Sequence, residues 1–260
     1  MDDTLKLSIL DRMKQQNGHT GFYYKNLITG EELGYQENER YLAASVIKLP
    51  IFMCISKWAS EGKCSMDEKI HVRQEDKLPI CGALTLFTDE LDVDIRTLCK
   101  LMISISDNAA TNLLIRRFGI PAYAEEFRNI GLTDTKLNRL LFDAEGSAAG
   151  IENYIVPKEI GMLLEKIYRR TFVSEQVSKE IEEVLFLQQI NHKICGIIGW
   201  QVPVAHKTGE DEDLTNDVGL IYARQPFVAC YAGHGTSVPE FENLIRHVSA
   251  ELLAACNEEV

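Results

Sequence analysis

Apolar residues recur at helical spacing through most of the chain. The first such segment, residues 4–16, places its apolar side chains on one face and ends at Asn17-Gly18. A last amphipathic segment covers residues 239–256. Between them, helical spacing dominates from residue 44 to about residue 190, in segments at 45–60, 94–104, 107–118, 121–130, 157–170 and 174–187. Residues 142–154 have no clear periodicity and are expected to form a long surface loop.

Runs with the composition of β-strands lie near both ends of the chain. Residues 21–27 and 31–35 flank the turn signal Thr29-Gly30 and predict a hairpin. Three more runs follow the helical block, at residues 202–210, 216–224 and 226–233. Pairing the hairpin with these runs gives one antiparallel five-stranded sheet, which the terminal helices cover. We therefore predict an α/β (α+β) fold with a cleft between two lobes, an α/β lobe of residues 1–43 and 191–260 and an all-helical lobe of residues 44–190.

Composition excludes several classes of function. The 260 residues are 45% hydrophobic and 25% charged, which is typical of a globular domain with a full core. The net charge of -12 argues against nucleic acid or an anionic membrane as a partner, and no window approaches the ~18 apolar residues of a membrane span. We expect a monomer that acts on a small-molecule substrate. The acidic, amphipathic start is unlike a signal peptide, so the protein is expected in the cytoplasm unless a leader has been removed.

The cysteines and histidines predict neither a disulfide framework nor a cofactor. There are seven cysteines without a C-x-x-C pair, and most lie in apolar runs, so we interpret them as small buried residues in a reducing compartment. The six histidines lack the close spacing of a metal site, and no metal is predicted. His206 could line the cleft, but packing within its strand is the simpler expectation.

The helix predicted at residues 45–60 begins with a serine and a lysine three positions apart. Ser45 and Lys48 share a helix face, so the amine can lie beside the hydroxyl, and burial would lower the lysine pKa toward that of a useful base. The first turn also offers free N–H groups to a developing oxyanion. A second S-x-x-K pair, Ser60 and Lys63, lies at the helix C-terminus and is interpreted as a solvated helix end.

Two further polar motifs stand at element boundaries. The SDN at 106–108 separates two apolar segments, where a helix N-cap is the simplest interpretation. The KTG at 207–209 lies in the first of the late strands and by itself could be a plain strand end. The three motifs nevertheless occur in the order S-x-x-K, S-D-N and K-T-G. In this set the chain resembles the penicillin-recognising serine enzymes, in particular the class A β-lactamases, and the resemblance covers most of the sequence.

The resemblance implies a β-lactamase/transpeptidase-like fold and an acyl-transfer role for four residues. Ser45 would be acylated, and Lys48 would help to take its proton. Ser106 would relay a proton to the leaving nitrogen. The backbone N–H groups of Ser45 and Glu210 would form the oxyanion hole.

The resemblance also implies how a β-lactam or a D-amino-acid peptide would be held. Asn108 would bind the substrate's side-chain amide, and Asp107 would hold the turn around it. Lys207 and Thr208 would bind the substrate carboxylate, next to Gly209.

The chain departs from the class A pattern in the loop after the second motif. Arg139 fits the family's arginine, but Leu141 stands where a glutamate activates the hydrolytic water, and leucine cannot act as a base. Asp143 or Glu145 could bring a carboxylate to this water if the loop is shifted. Alternatively, Asp143 pairs with Arg139 while Glu145 faces solvent.

These departures leave more than one function open. The chain could be a β-lactamase with a replacement carboxylate, or a DD-peptidase-like enzyme or other serine amidase or esterase that β-lactams acylate and leave slowly. It could also be a penicillin-binding receptor without turnover. An arginine that many class A enzymes place near the carboxylate pocket is replaced by Thr215, and Lys193 could either serve instead or be a solvated loop lysine.

Overall fold

A five-stranded antiparallel sheet forms the centre of the molecule. The computed structural model describes residues 1–78 and 81–258. The strands in this part of the chain are β1 (His19–Asn26), β2 (Glu32–Tyr35), β3 (Tyr41–Leu42), β4 (Lys69–Val72), β5 (Leu91–Asp94), β6 (Tyr154–Ile155), β7 (Val204–Asp211), β8 (Leu214–Ile221) and β9 (Phe227–His234). The main sheet has the order β2-β1-β9-β8-β7. The predicted pairing of the N-terminal hairpin with the three C-terminal strands is therefore confirmed.

The strand β1 joins the two ends of the chain. It pairs with β2 on one side and, along its whole length, with β9 on the other. β8 and β7 extend the sheet from β9, so β7 is an edge strand. The KTG motif at 207–209 thus lies on the edge of the sheet, where the strand has one free side for another element or a ligand.

Helices cover both faces of the sheet. They are α1 (Asp3–Lys14), α2 (Lys48–Ser60), α3 (Ile95–Ser104), α4 (Asn108–Phe118), α5 (Ile120–Ile130), α6 (Ala144–Ala148), α7 (Pro157–Tyr168), α8 (Glu175–Leu185), α9 (Cys195–Ile198) and α10 (Val238–Asn257). α1 and α10 pack on one face through residues such as Ile9, Met13 and Ile245. The helices α2–α5, α7 and α8 build the larger core, in which α7 lies directly on β1, β8 and β9.

The helix α2 runs through the middle of this larger core. Ten of its thirteen residues are buried, among them Lys48. A helix that is apolar on all sides is stable only when its neighbours surround it, and here they do. A 3₁₀ turn, Ala44–Ile47, leads into α2 and carries Ser45. The preceding Ala44 has a φ of +40°, an unfavourable value for a residue with a Cβ.

Two parts of the helical block differ from the prediction. β4 and β5 form an antiparallel hairpin where only helices were expected. The long connection between the two strands hides the usual signal of a short hairpin turn. Residues 142–154 are not a plain loop, because they contain α6 and the start of β6, which pairs with β3. The division into two lobes stays a prediction, and its residues 79, 80, 259 and 260 lie outside the described residues.

All seven cysteines are free, which confirms that there is no disulfide framework. Cys81 is exposed, however, so the expectation of small buried residues is wrong for this one. Among the described residues, none of the helices combines the length and the hydrophobicity that crossing a bilayer requires.

Candidate active site

The three motifs meet at one cavity of about 760 Å³. Ser45 comes from the 3₁₀ turn before α2, Ser106 and Asn108 from the junction of α3 and α4, and Thr208 and Gly209 from the edge strand β7. The cavity has the size of a small-molecule site. Residues that are far apart in the sequence thus share one cavity, as the motif set predicts.

Lys48 lies at the centre of the polar contacts below the cavity. Its Nζ is 2.8 Å from Ser45 Oγ, 2.9 Å from Ser106 Oγ and 2.7 Å from Asn108 Oδ1, and it donates to the Ser106 carbonyl oxygen at 2.7 Å. The side chain is fully buried. Burial, and then the nearby Lys207 amine, hold the pKa of Lys48 well below its usual range. The amine is therefore suited to act as a base beside the Ser45 hydroxyl.

Ser106 connects the two lysines of the site. Its Oγ lies 2.9 Å from Lys48 Nζ and 3.2 Å from Lys207 Nζ, so one hydroxyl bridges both amines. Burial, reinforced by the Lys193 amine, lowers the pKa of Lys207 to about 7. The φ of Ser106 is +58°, a value that costs energy for a non-glycine residue. Such strained backbone conformations cluster at active sites and ligand-binding segments.

Asp107 holds the loop that carries its neighbours. Its carboxylate is 1% exposed and accepts hydrogen bonds from the backbone N–H groups of Ala83 at 2.7 Å, Leu84 at 3.0 Å and Ala110 at 2.9 Å. The last of these contacts caps α4, so the N-cap interpretation of the SDN is confirmed for this residue. The other two fasten the segment that begins at Cys81 to the base of the cavity.

Replacing Asp107 with alanine is expected to lower the free energy of unfolding by about 2–4 kcal/mol, because three backbone N–H donors, two of them buried, lose a charged acceptor. Urea unfolding measures the change at constant m-value. Asp94→Ala is the matched control, since Asp94 caps α3 through Thr97 alone and is less buried. It should cost only about 1 kcal/mol. Equal losses in the two variants would contradict the structural role of Asp107.

Gly209 brings the edge strand unusually close to the turn that carries Ser45. A Cβ at Gly209 would lie 3.1 Å from the Ser45 backbone nitrogen and 3.1 Å from the Ala43 carbonyl oxygen. Glycine is therefore the residue that lets the two backbones approach. Glu210 follows at once, is exposed and lines the cavity together with Asp211.

The loop at residues 139–153 forms the opposite wall of the cavity. Leu141 lines it, and the Asn112 side chain holds the backbone of this residue from both sides. The Asn112 amide donates to the Leu141 carbonyl oxygen at 2.9 Å, and its Oδ1 accepts from the Leu141 N–H at 2.9 Å. The position at which the family's glutamate would stand is thus fixed at the cavity and carries an apolar side chain.

The acidic residues of this loop have other contacts. Arg139 pairs with Glu152 at 2.6 Å, so the predicted pairing of Arg139 with Asp143 is wrong. Asp143 lines the cavity, but its Oδ1 accepts from the Gly146 N–H at 2.9 Å and caps α6. Glu145 is exposed and is not among the residues that line the cavity. A catalytic role for either Asp143 or Glu145 stays a prediction.

Two polar residues are buried at the edge strand β7, Lys193 next to it and His206 within it. Lys193 is fully buried and donates to the carbonyl oxygens of Gly209 and Asn216 at 3.0 and 3.1 Å, so the alternative of a solvated loop lysine is wrong. His206 is 1% exposed, with Nδ1 3.0 Å from the Asp217 carboxylate, which confirms the packed strand histidine.

Sequence reasoning missed three residues of the site. Asn112, which positions Leu141, lies one helical turn after Asn108, and this spacing could have indicated it. Glu152 holds both Arg139 and the Ser147 hydroxyl, but its distance along the loop offered no signal. Cys81 lines the cavity with an exposed thiol.

The comparisons with known proteins agree with the resemblance that the three motifs indicate. The family model described as the beta-lactamase enzyme family matches residues 4–256. A protein named beta-lactamase from Rhodobacter capsulatus is 30% identical in an alignment over 151 residues that covers 54% of this chain and 48% of that protein. The chain thus spans about half the length of this curated relative.

Solved structures match nearly the whole chain. PBP-A is 27% identical with a TM-score of 0.88, over 97% of this chain and 96% of that one. A leucine-to-glutamate variant of PBP-A has been solved as an acyl-enzyme complex with penicillin G. A beta-lactamase from Chitinophaga pinensis has a TM-score of 0.90 at 18% identity, over 98% of this chain and 100% of that one, and indicates the fold alone.

Proposed function

The chain belongs to the beta-lactamase enzyme family, and from this premise we propose that it is a serine hydrolase whose acyl-enzyme with β-lactams forms readily and is hydrolysed slowly. One observation carries the proposal. A buried amine lies 2.8 Å from the Ser45 hydroxyl, whereas the cavity wall offers Leu141 at the position of the water-activating carboxylate. The first feature supports acylation, and the second leaves deacylation without its usual base.

Acylation would proceed by transfer of one proton and exchange of one bond. The neutral Lys48 amine takes the proton of Ser45 Oγ, which attacks the lactam carbonyl carbon and forms a tetrahedral oxyanion. The backbone N–H groups of Ser45 and Glu210 stabilise this oxyanion. When the C–N bond breaks, Ser106 gives its proton to the leaving nitrogen and regains one from Lys48. The contacts of 2.8 and 2.9 Å from Lys48 Nζ to the two hydroxyls support this relay.

The substrate would be held by the remaining motif residues. Lys207 and Thr208 bind its carboxylate, because a buried cation is needed to attract an anion to a protein of net charge -12. Asn108 binds the side-chain amide from the opposite side of the cavity. Glu210 and Asp211 at the rim would repel additional negative charge on a substrate, which favours β-lactams with neutral side chains.

Deacylation needs a base near the acyl carbonyl, and the carboxylates of the loop at residues 139–153 are poorly disposed for this role. Asp143 is committed to capping α6, Glu152 is paired with Arg139, and Glu145 is exposed away from the cavity lining. A general base typically accelerates such a step by about 10²–10⁴-fold, so its absence leaves a long-lived acyl-enzyme.

A DD-peptidase-like or other amidase and esterase activity is the second candidate. The likeness to PBP-A, at 27% identity over nearly the whole chain, supports it. In this case β-lactams would acylate Ser45 as slow substrates while a D-amino-acid peptide or an ester is turned over. This candidate predicts that the enzyme hydrolyses one of these substrates faster than it hydrolyses a penicillin, whereas the first candidate does not. If the protein hydrolyses none of the substrates, it would be a receptor.

The pH dependence of acylation is expected to be bell-shaped for substrates that bear a carboxylate. As pH rises, the lowered pKa of Lys48 means that more of its amine becomes neutral and able to accept a proton. Above about pH 7, Lys207 loses its charge and binds the carboxylate more weakly. The second-order acylation rate constant measured across pH should therefore fall on the alkaline side. A neutral ester without the carboxylate should lack this fall, and an identical alkaline limb for both substrates would contradict the role of Lys207.

The kinetics of a chromogenic cephalosporin test the proposal as a whole. We expect a rapid burst of about one equivalent of opened lactam per enzyme, followed by a much slower steady rate. Ser45→Ala should abolish the burst, whereas Ser60→Ala, in the second S-x-x-K pair, should leave it unchanged. Fast linear turnover without a burst would refute slow deacylation.

A further inference from the structure

Beside the cavity, one histidine nitrogen faces two carboxylates. His192 Nε2 lies 3.4 Å from Glu210 Oε1 and 3.2 Å from Glu242 Oε1. The three side chains come from separate elements, namely the segment before α9, the end of β7 and α10. All three ligand atoms lie within 4.8 Å of one another. No spacing along the sequence joins these residues, which is why the histidine pattern did not indicate them.

We propose that His192, Glu210 and Glu242 bind a divalent transition metal of the zinc type. In a tetrahedral zinc site with bonds of about 2.0–2.1 Å, neighbouring ligand atoms are about 3.3–3.4 Å apart. The two distances from His192 Nε2, 3.2 and 3.4 Å, match these edges. One histidine and two carboxylates are a ligand set that zinc accepts in open sites, with water in the fourth position.

The surroundings of the cluster fit such a site. His192 and Glu210 are about half exposed, at 47% and 44%, so a metal can enter and keep a water ligand. The Thr215 hydroxyl donates to Glu242 Oε1 at 3.1 Å, and Arg246 donates to the His192 carbonyl oxygen at 3.1 Å. These contacts orient two of the three ligands, as partners around metal ligands commonly do.

Two cations compete with the metal for the carboxylates. Lys193 Nζ lies 3.0 Å from Glu210 Oε1, and Arg246 Nη1 lies 3.9 Å from Glu242 Oε2. They should weaken the site without closing it. Glu210 Oε1 has a second lone pair besides the one that faces Lys193, and Arg246 contacts the Glu242 oxygen that does not face His192. The overall charge of -12 favours cation binding in return. The alternative is a cluster without metal in which the His192 ring N–H is shared between the two carboxylates.

Metal titration of the whole chain, without a histidine tag, tests the proposal. Calorimetry with Zn²⁺ should give one equivalent bound, and Co²⁺ should show the visible absorption of a tetrahedral ion. His192→Gln and, separately, Glu242→Gln should each weaken Zn²⁺ binding by at least about 10–100-fold, the loss found when mere supporting partners are removed. Because the readout is metal binding, the result does not depend on the proposed hydrolase activity.

His71 supplies a matched control. It also contacts two carboxylates, Asp92 at 2.8 Å and Glu90 at 3.1 Å, but each through a different ring nitrogen, so no single nitrogen faces both. His71→Gln should leave Zn²⁺ affinity unchanged. Cys81→Ser, which removes an exposed thiol, should also leave the affinity unchanged. The assignment would be overturned if the wild type bound no Zn²⁺ or if His192→Gln bound it equally well. Loss of binding in His71→Gln or in Cys81→Ser would overturn it as well.

Discussion

Replacing Leu141 with glutamate is expected to speed hydrolysis of the acyl-enzyme by about 10²–10⁴-fold, the usual contribution of a positioned general base. The structure favours a large effect because the backbone at this position is already in place. Asn112 holds both the N–H and the carbonyl of Leu141 at 2.9 Å, and the side chain lines the cavity. A carboxylate introduced there needs little rearrangement of the loop to reach a water near the acyl group.

The deacylation rate constant, measured by loss of the acyl-enzyme mass after excess penicillin is removed, checks this prediction. Leu141→Gln is the matched control, since glutamine has the same size and polarity without being a base. It should deacylate no faster than about the wild-type rate. An equal acceleration by glutamine would mean that polarity or loop mobility, and not general-base catalysis, limits the reaction. No acceleration by glutamate would refute Leu141 as the cause of slow turnover.

Replacing Lys48 with methionine is expected to slow acylation by about 10²–10⁴-fold, because the change removes the base and keeps most of the side-chain volume. The amine has four oxygen neighbours at 2.7–2.9 Å, two of which are the hydroxyls of Ser45 and Ser106. Burial lowers the pKa of Lys48, and this raises the neutral fraction of the amine relative to an exposed lysine. Among the described residues, Lys48 is the one whose amine lies within hydrogen-bonding distance of both the Ser45 and the Ser106 hydroxyl.

Stopped-flow acylation with a fluorescent penicillin measures this effect, in variants that retain the wild-type unfolding midpoint. Lys63→Met, in the second S-x-x-K pair, should acylate like the wild type because Lys63 is exposed at the end of α2. The acidic limb of the pH profile should also disappear in Lys48→Met. If that limb persists, a group other than Lys48 titrates on the acidic side, and the assigned base is wrong.

The sheet and most helices follow directly from the spacing of apolar residues. β9 is a nearly continuous apolar run, β8 is buried along its whole length, and each helix of the larger core has an apolar face, so local pattern and tertiary packing agree. The hairpin β4–β5 was missed because only Val72 and Val93 of it are buried. A strand with one buried position gives almost no alternation to read.

Site residues could be predicted from the sequence where a motif lies at the boundary of a helix or strand. They could not be predicted where the path of a loop decides which side chains meet. Ser45 and Lys48 could be placed because a spacing of three residues brings both side chains to one face of a helical turn, here the 3₁₀ turn that leads into α2. The partner of Arg139 could not, since Asp143 and Glu152 are both acidic and only the path of the loop selects Glu152. The cluster around His192 depends on how the segment before α9 lies against β7 and α10, and the sequence gives no signal for that path.

Intact-mass spectrometry of the protein mixed with penicillin, followed over time, tests the role of Ser45 most directly. Proteolysis of the labelled protein identifies the residue that carries the adduct. We expect a stoichiometric adduct on Ser45 that decays slowly and is absent in Ser45→Ala. An adduct on another residue, or none while the protein remains folded, would contradict the assignment of Ser45 as the nucleophile. Rapid turnover with no accumulated adduct would contradict slow deacylation.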